Sequence, residues 1–250
     1  MSSSSECLAV SAVSGGPDSV CSMVYWLSRG CDVAPLFFDY GQKAAKRELE
    51  ALRRIVERLR EIAGERKWGR VEEPTVLDLK PLGRLWVGSQ LTDESVEVTE
   101  EYDVTVVVPI RNVIMAAVAA ARAYALLSAR RLERVLVILG SQRDDVRPRE
   151  DTWEPRYPDC SPECLLALEA SLKICHFRGE RRIELWAPSA AGIGKSELLR
   201  SCYELIGDLI YETWSCYRGL EKHCGSCESC ANRRRALREA GLPDKTEYMS

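Results

Sequence analysis

The chain has 250 residues, 46% of them hydrophobic, and a formal net charge of −3. That is enough for one sizeable core, and the acidic balance excludes the broad basic footprint of a nucleic-acid-coating protein, so no stable nucleic-acid complex is expected. No apolar run is read as reaching the ~18 residues of a membrane span, and the opening MSSSSECLAV has neither a basic start nor a long apolar stretch, so a cytoplasmic protein without anchor or leader is expected.

Residues 7–13 form an apolar run that reads as a strand. Ser14-Gly15-Gly16-Pro17-Asp18-Ser19 follows at once, opening a helical stretch over 17–28. A strand that turns on two glycines into a helix offers backbone N–H groups and the positive end of the helix dipole to phosphate. The Ser14 and Ser19 hydroxyls add donors, and the Asp18 carboxylate is a hard oxygen ligand of the kind Mg²⁺ takes. The plainer alternative is a Ser/Gly turn with Asp18 as a first-turn acid. The segment lacks the GK[ST] ending of a Walker A loop and the G-x-G-x-x-G spacing of dinucleotide folds.

Residues 32–39 read as a second strand, 42–63 as a long amphipathic helix, 71–79 as a third strand and 105–108 as a short one. In the long helix Glu48, Glu50, Glu57 and Glu61 interleave with basic residues, the pattern of a solvated face laced with ion pairs. An Ala-rich helix is expected over 112–130, strands over 134–139 and 182–187, and helices over 162–176 and 195–206. Residues 141–158 read as a long charged loop. This alternation predicts an α/β fold, a doubly wound and mostly parallel sheet with ligands beyond the strand C-termini. Residues 1–207 are assigned to that unit and 208–250 to a loop-rich, cysteine-rich segment packed on it.

Seven of the eleven cysteines, Cys7, Cys21, Cys31, Cys160, Cys164, Cys175 and Cys202, are scattered and read mostly as small buried hydrophobes. Disulfides are not expected in a cytosolic protein. The other four fall as Cys216-x7-Cys224-x2-Cys227-x2-Cys230. Four thiolates at this spacing fit a closed, structural Zn²⁺ site; an iron–sulfur cluster is the rival reading.

The loop SGGPDS resembles the pyrophosphate loop of the N-type ATP pyrophosphatases, which cleave ATP between the α and β phosphates. Further segments follow in order: Asp39-Tyr40-Gly41-Gln42, Val108-Pro109-Ile110-Arg111-Asn112, Tyr157-Pro158-Asp159-Cys160 and Thr213-Trp214-Ser215-Cys216-Tyr217. Together they resemble the 7-cyano-7-deazaguanine synthase family. The resemblance implies ATP with Mg²⁺, 7-carboxy-7-deazaguanine and ammonia as substrates, one structural Zn²⁺ per chain, and a homodimer. It implies ATP contacts from Val13, Ser14, Gly15, Gly16, Pro17, Asp18, Ser19, Arg111, Asn112 and Lys195. Asp18 and Lys195 would be catalytic, and Tyr40, Gln42, Tyr157 and Asp159 would bind the substrate, Asp159 at its guanine-like N–H edge.

The chain departs from the family pattern at Lys43-Ala44-Ala45, where a His is usual, at Ser161, where an Arg is common, and in the longer loop before Tyr157. These changes flank the substrate pocket. Three other readings stay open: transfer of the activated deazaguanine to another amine, a tRNA-modifying ATP pyrophosphatase, and a non-catalytic zinc module.

Overall fold

The computed structural model describes residues 7–176 and 182–249. Five strands, β1 (Leu8–Ala12), β2 (Asp32–Asp39), β3 (Thr75–Asp78), β4 (Val135–Ile138) and β5 (Ile183–Trp186), form one sheet in the order β3-β2-β1-β4-β5. Every pairing is parallel. Along the central strands alternate residues enter opposite cores, because side chains alternate across a strand and both faces are covered. Ala9, Val33, Phe37, Leu136 and Ile138 face one core. Leu8, Val10, Leu36, Val135 and Val137 face the other.

Helices α1 (Pro17–Leu27), α2 (Ala45–Arg66), α6 (Lys195–Ile206) and α7 (Glu228–Glu239) cover the first face. The single turn α3 (Lys80–Gly83) follows β3, and α4 (Arg111–Arg130) and α5 (Pro162–Cys175) cover the second face. The apolar stripe of α2, Leu52, Ile55, Val56, Leu59 and Ala63, falls at helical spacing and is buried. Its outer acids do form ion pairs, Arg47–Glu50 and Arg58–Glu61 at 3.0 and 2.8 Å. Glu48 does not belong to that face.

Several sequence expectations are corrected. Residues 105–108 are not a strand: Val104–Val106 is a 3₁₀ turn in no sheet, capped by the Asp103 carboxylate, which accepts from Thr105 N. The third strand is confined to Thr75–Asp78, with Val71 making only an isolated bridge to Val33; Pro74, which has no N–H to donate, stands between them. The tail is less irregular than its cysteines suggest, since α7 packs Ala236 and Leu237 into the first core. The stretch Val104–Arg130 is, by length and composition, apolar enough to cross a membrane, with mean hydropathy 1.9. Its many alanines disguise that in the sequence. Here Ala119, Ala120, Ala123 and Leu127 pack against the sheet.

Cys7 and Cys31 are joined by a disulfide, Cα–Cα 4.6 Å, against the expectation of reduced thiols. The sheet register explains the pairing. Leu8 lies opposite Asp32, so the residues just before each strand are neighbours, and Asp32 N donates to Cys7 O at 2.9 Å. The bond closes a loop over a sequence separation of 24 residues, a constraint on the unfolded chain worth about 3 kcal/mol. Reductant or Cys31→Ser is therefore expected to lower the unfolding midpoint by roughly 5–10 °C. Thermal scans with and without reductant check this, and Cys31→Ser should show no further response to reductant.

Candidate active site

The strand order reverses at the boundary between β1 and β4, and a cavity of about 290 Å³ opens beyond their C-terminal ends. Its floor is the turn from β1 into α1. Gly16 caps the helix, Pro17 occupies the first turn, and Asp18 is the first-turn acid. The loop is braced internally: Ser14 N donates to Ser19 Oγ at 3.1 Å, Ser19 Oγ donates to Gly16 O at 3.1 Å, and Gly16 N donates to Ser14 Oγ at 3.2 Å. The cradle is thus preformed, and the first-turn N–H groups of α1 face the cavity mouth without helical partners.

Two glycines let this floor close. Gly15 has φ +79°, and a Cβ there would meet the backbone oxygen of Glu48 at 2.3 Å. At Gly140, just past β4, a Cβ would meet Ser19 Cα at 2.9 Å. Backbone therefore packs on backbone at both points, which brings α2 and β4 hard against the phosphate loop.

Lys195, the first residue of α6, reaches across this floor. Its Nζ donates to Asp18 Oδ2 at 2.7 Å, and its backbone N donates to Asp144 Oδ2 at 2.8 Å. Burial alone would pull the Lys195 ammonium down, but Asp18 and Asp145 outweigh it and hold it above its ordinary value. Burial and the nearby Asp18 charge push Asp145 up to about 7. Asp18 Oδ1 is buried with no hydrogen-bond partner among the described residues. A carboxylate oxygen left open beside two further acids fits a divalent cation that takes oxygen ligands.

The far wall is apolar, with Phe38, Tyr40, Leu91, Val106 and Met115 around it. Arg111 Nη1 donates to the Tyr40 hydroxyl at 3.2 Å. Burial works against the Arg111 charge, but Tyr40 and Asp159 raise its pKa above the ordinary arginine value.

Every loop residue from 13 to 19 except Gly15 lines the cavity, together with Tyr40, Gln42, Arg111, Asn112, Tyr157 and Lys195. Gly15 is turned toward α2 instead. Asp159 is not on the cavity surface: its Oδ2 accepts from Asn112 N at 3.0 Å, capping α4. The cap of α5 is Ser161, which accepts from Cys164 N. Gln42 lines the wall, but its amide is committed to Tyr40 N, Phe38 O and Glu48. Cys160 lines the cavity as a neutral thiol, since burial and the nearby Asp145 and Asp159 charges push its pKa well up.

Sequence reasoning missed Glu48, Asp144, Asp145, Glu228 and Asn232, all on the cavity wall. The acids of the 141–158 loop carried a weak signal, being placed after a strand. Glu48 carried none, since it shares a helix turn with solvated acids.

The Sγ atoms of Cys216, Cys224, Cys227 and Cys230 all lie within 4.8 Å of one another, and all four residues are buried. A tetrahedral Zn²⁺ site would place its sulfurs about 3.8 Å apart. The Cys224–Cys230 and Cys227–Cys230 separations are 3.9 and 3.5 Å. Cys224 N and Cys227 N donate to sulfurs of Cys216 and Cys224 at 3.4 and 3.3 Å, the outer contacts that support ligand charge. The four sulfurs leave no protein position open for a substrate. This cluster adjoins the cavity: Trp214 N donates to Gly15 O at 2.9 Å, and α7, capped by Cys227, supplies Glu228 and Asn232 to the wall.

A family model described as "Queuosine biosynthesis protein QueC" matches residues 8–241. The 7-cyano-7-deazaguanine synthase of Methanothermobacter thermautotrophicus is 34% identical over 251 residues, spanning 96% of this chain and 98% of that protein. The protein of the same name from Acetivibrio thermocellus is 30% identical over 247 residues, spanning 96% and 97%. Among solved structures, a 4-thiouridine synthetase–RNA complex with bound ATP aligns over 94% of this chain and 50% of its own, at 15% identity and TM-score 0.44. The family match takes in the phosphate loop, the apolar wall and all four clustered thiols, and by it the chain belongs to the QueC family of queuosine biosynthesis proteins.

Proposed function

We propose that this protein converts 7-carboxy-7-deazaguanine and ammonia to 7-cyano-7-deazaguanine in the cytoplasm, using two ATP and releasing AMP and pyrophosphate each time. The observation that carries the reading is one cavity lined both by the preformed loop Ser14–Ser19 and by the apolar and aromatic residues Phe38, Tyr40, Leu91, Val106, Met115 and Tyr157. A nucleotide and a small heterocycle can meet there.

No protein nucleophile is needed. Cys160 is held as a thiol. His176 stacks on Tyr124 and His223 leans on Trp214, and neither lines the cavity with Cys160. The substrate carboxylate is then the attacking group. It forms a bond to the α-phosphorus while pyrophosphate leaves into the cradle of Ser14, Gly16 and Ser19. Ammonia adds to the acyl carbon and AMP departs, leaving the amide. The amide oxygen attacks the α-phosphorus of a second ATP as its pyrophosphate leaves, and loss of AMP with the two N–H protons then leaves the nitrile.

In this reading the Lys195 ammonium neutralises charge that builds on the phosphates, and its pairing with Asp18 fixes it before ATP arrives. Asp18, with Asp144 or Asp145 beside it, would hold Mg²⁺, which screens phosphate charge when bound. Arg111 and Asn112, at the start of α4, would contact ATP. Tyr40 and Tyr157 would flank the deazaguanine. The clustered thiolates would hold one structural Zn²⁺, making residues 208–250 a metal-braced wall of the α/β unit.

Mass spectrometry of the product tests the reading. With carboxy-deazaguanine, ATP, Mg²⁺ and ammonium, the nitrile should appear with two AMP per turnover. Accumulation of amide without nitrile would favour transfer to another amine, and absence of AMP would overturn the proposal.

A further inference from the structure

Among the described residues six carboxylates line the inner cavity or its approach: Asp18, Glu48, Asp144, Asp145, Glu228 and the rim residue Glu239. Five are accounted for. Asp18 pairs with Lys195. Asp144 takes Lys195 N and the Arg147 guanidinium. Asp145 accepts from both the backbone N and the side-chain amide of Gln142. Glu228 accepts from the Tyr217 hydroxyl and from Asn232. Glu239 is exposed at the rim.

Glu48 is different. The Gly15 contact seats its backbone against the phosphate loop, at the first turn of α2. Its side chain turns into the cavity on the side of Phe38 and Tyr40. Gln42 Nε2 donates to Glu48 Oε2 at 2.9 Å. The Gln42 amide cannot flip, because its Oε1 accepts from Tyr40 N at 3.0 Å and its Nε2 also donates to Phe38 O at 3.1 Å. The carboxylate is therefore aimed by a clamp that is itself tied to the end of β2. Among the described residues no Lys or Arg pairs with it, and Arg111, whose charge acts on it through space, donates to Tyr40 instead. Burial pushes its pKa up to about 7, only partly offset by the Gln42 hydrogen bond and the Arg111 charge. A carboxylate held this way lacks partners that a ligand with N–H donors would supply. Each ionised oxygen has two acceptor positions, so the contact with Gln42 leaves three of the four, enough for two more donors.

We propose that Glu48 reads the substrate base: its two oxygens accept the adjacent N1–H and 2-amino donors of the deazaguanine ring. This rests on the function proposed above. It moves to α2 the role that the sequence suggested for Asp159, which caps α4 instead. Parallel donors on neighbouring ring atoms match the fork of a carboxylate, and the apolar wall beside it suits the ring faces.

The test is direct binding by calorimetry, using carboxy-deazaguanine, the analogue lacking the 2-amino group, and a non-hydrolysable ATP analogue. Wild type should bind the des-amino analogue about 10- to 100-fold more weakly than the parent acid. Glu48→Gln should weaken the parent acid by a similar factor, discriminate between the two by no more than about threefold, and bind the ATP analogue within about twofold of wild type. Equal affinity of wild type for both bases would overturn the assignment without any variant being made. So would a Glu48→Gln protein that keeps full discrimination, or one that loses the ATP analogue in step with the base. If wild type makes nitrile and these outcomes fail, the error lies with Glu48; if wild type makes no nitrile, the proposed function itself falls.

Discussion

Asp18→Asn is expected to cut AMP release by about 10²- to 10³-fold, the loss typical when one preorganised charge is removed from a developing transition state. The change does two things at once. It removes the negative charge that suits the open carboxylate to Mg²⁺, and it ends the ion pair with Lys195, whose Nζ sits 2.7 Å from Asp18 in a pair with side chains only 15% and 26% exposed. Lys195→Met should be similarly damaging. The double variant should lose far less than the product of the two, because each single change already breaks the same pair. Single-turnover assays of AMP at saturating ATP read this out. Retention of activity within about fivefold by Asp18→Asn would remove Asp18 from the mechanism.

Cys227→Ser should abolish soluble, folded protein, and chelation of the native metal should do the same reversibly. Structural zinc contributes ~10–16 kcal/mol in small metal-folded peptides, and whole domains are stable by only ~5–15 kcal/mol. Apolar packing on the thiols themselves is thin among the described residues, chiefly Ala44, Ala51, Val98 and Trp214, so α7 and Arg233 tie the segment to the core while the ligands' own geometry rests on the metal. Elemental analysis should find about one zinc per chain. Iron with visible absorbance would replace the zinc assignment, and a soluble, active Cys227→Ser protein would end it.

Much of this was readable from residue order. Four strands were visible near their observed bounds as apolar or alternating runs closed by turns, whereas the third was drawn too long and a further one was expected over 105–108; α6 was placed at its observed bounds, with Gly194 before it and Gly207 after it. The phosphate loop declared itself by composition. What stayed hidden was set by long-range neighbours. The Cys7–Cys31 bond depends on the register of two strands, which neither cysteine announces. Arg233 reads as one member of a basic run, yet it is 2% exposed and donates to Thr213, Ile210, Tyr211 and Thr246. Its guanidinium stands in for apolar core, fastening α7 to the segment before the thiols. Glu48 was hidden because a helix turn looks alike on either side until something is packed against it.

The hydrogen bond from Trp214 to the Gly15 carbonyl joins two sites that lie some two hundred residues apart in the chain. One partner belongs to the nucleotide floor and the other to the strand of chain entering the thiol cluster. Genetic changes at these two places therefore act on a shared backbone contact. Their effects should be epistatic: a tail altered to loosen the thiol cluster narrows the set of floor substitutions the enzyme survives. Exchanging one end alone between distant relatives should then disturb the other, although each end looks like a self-contained motif.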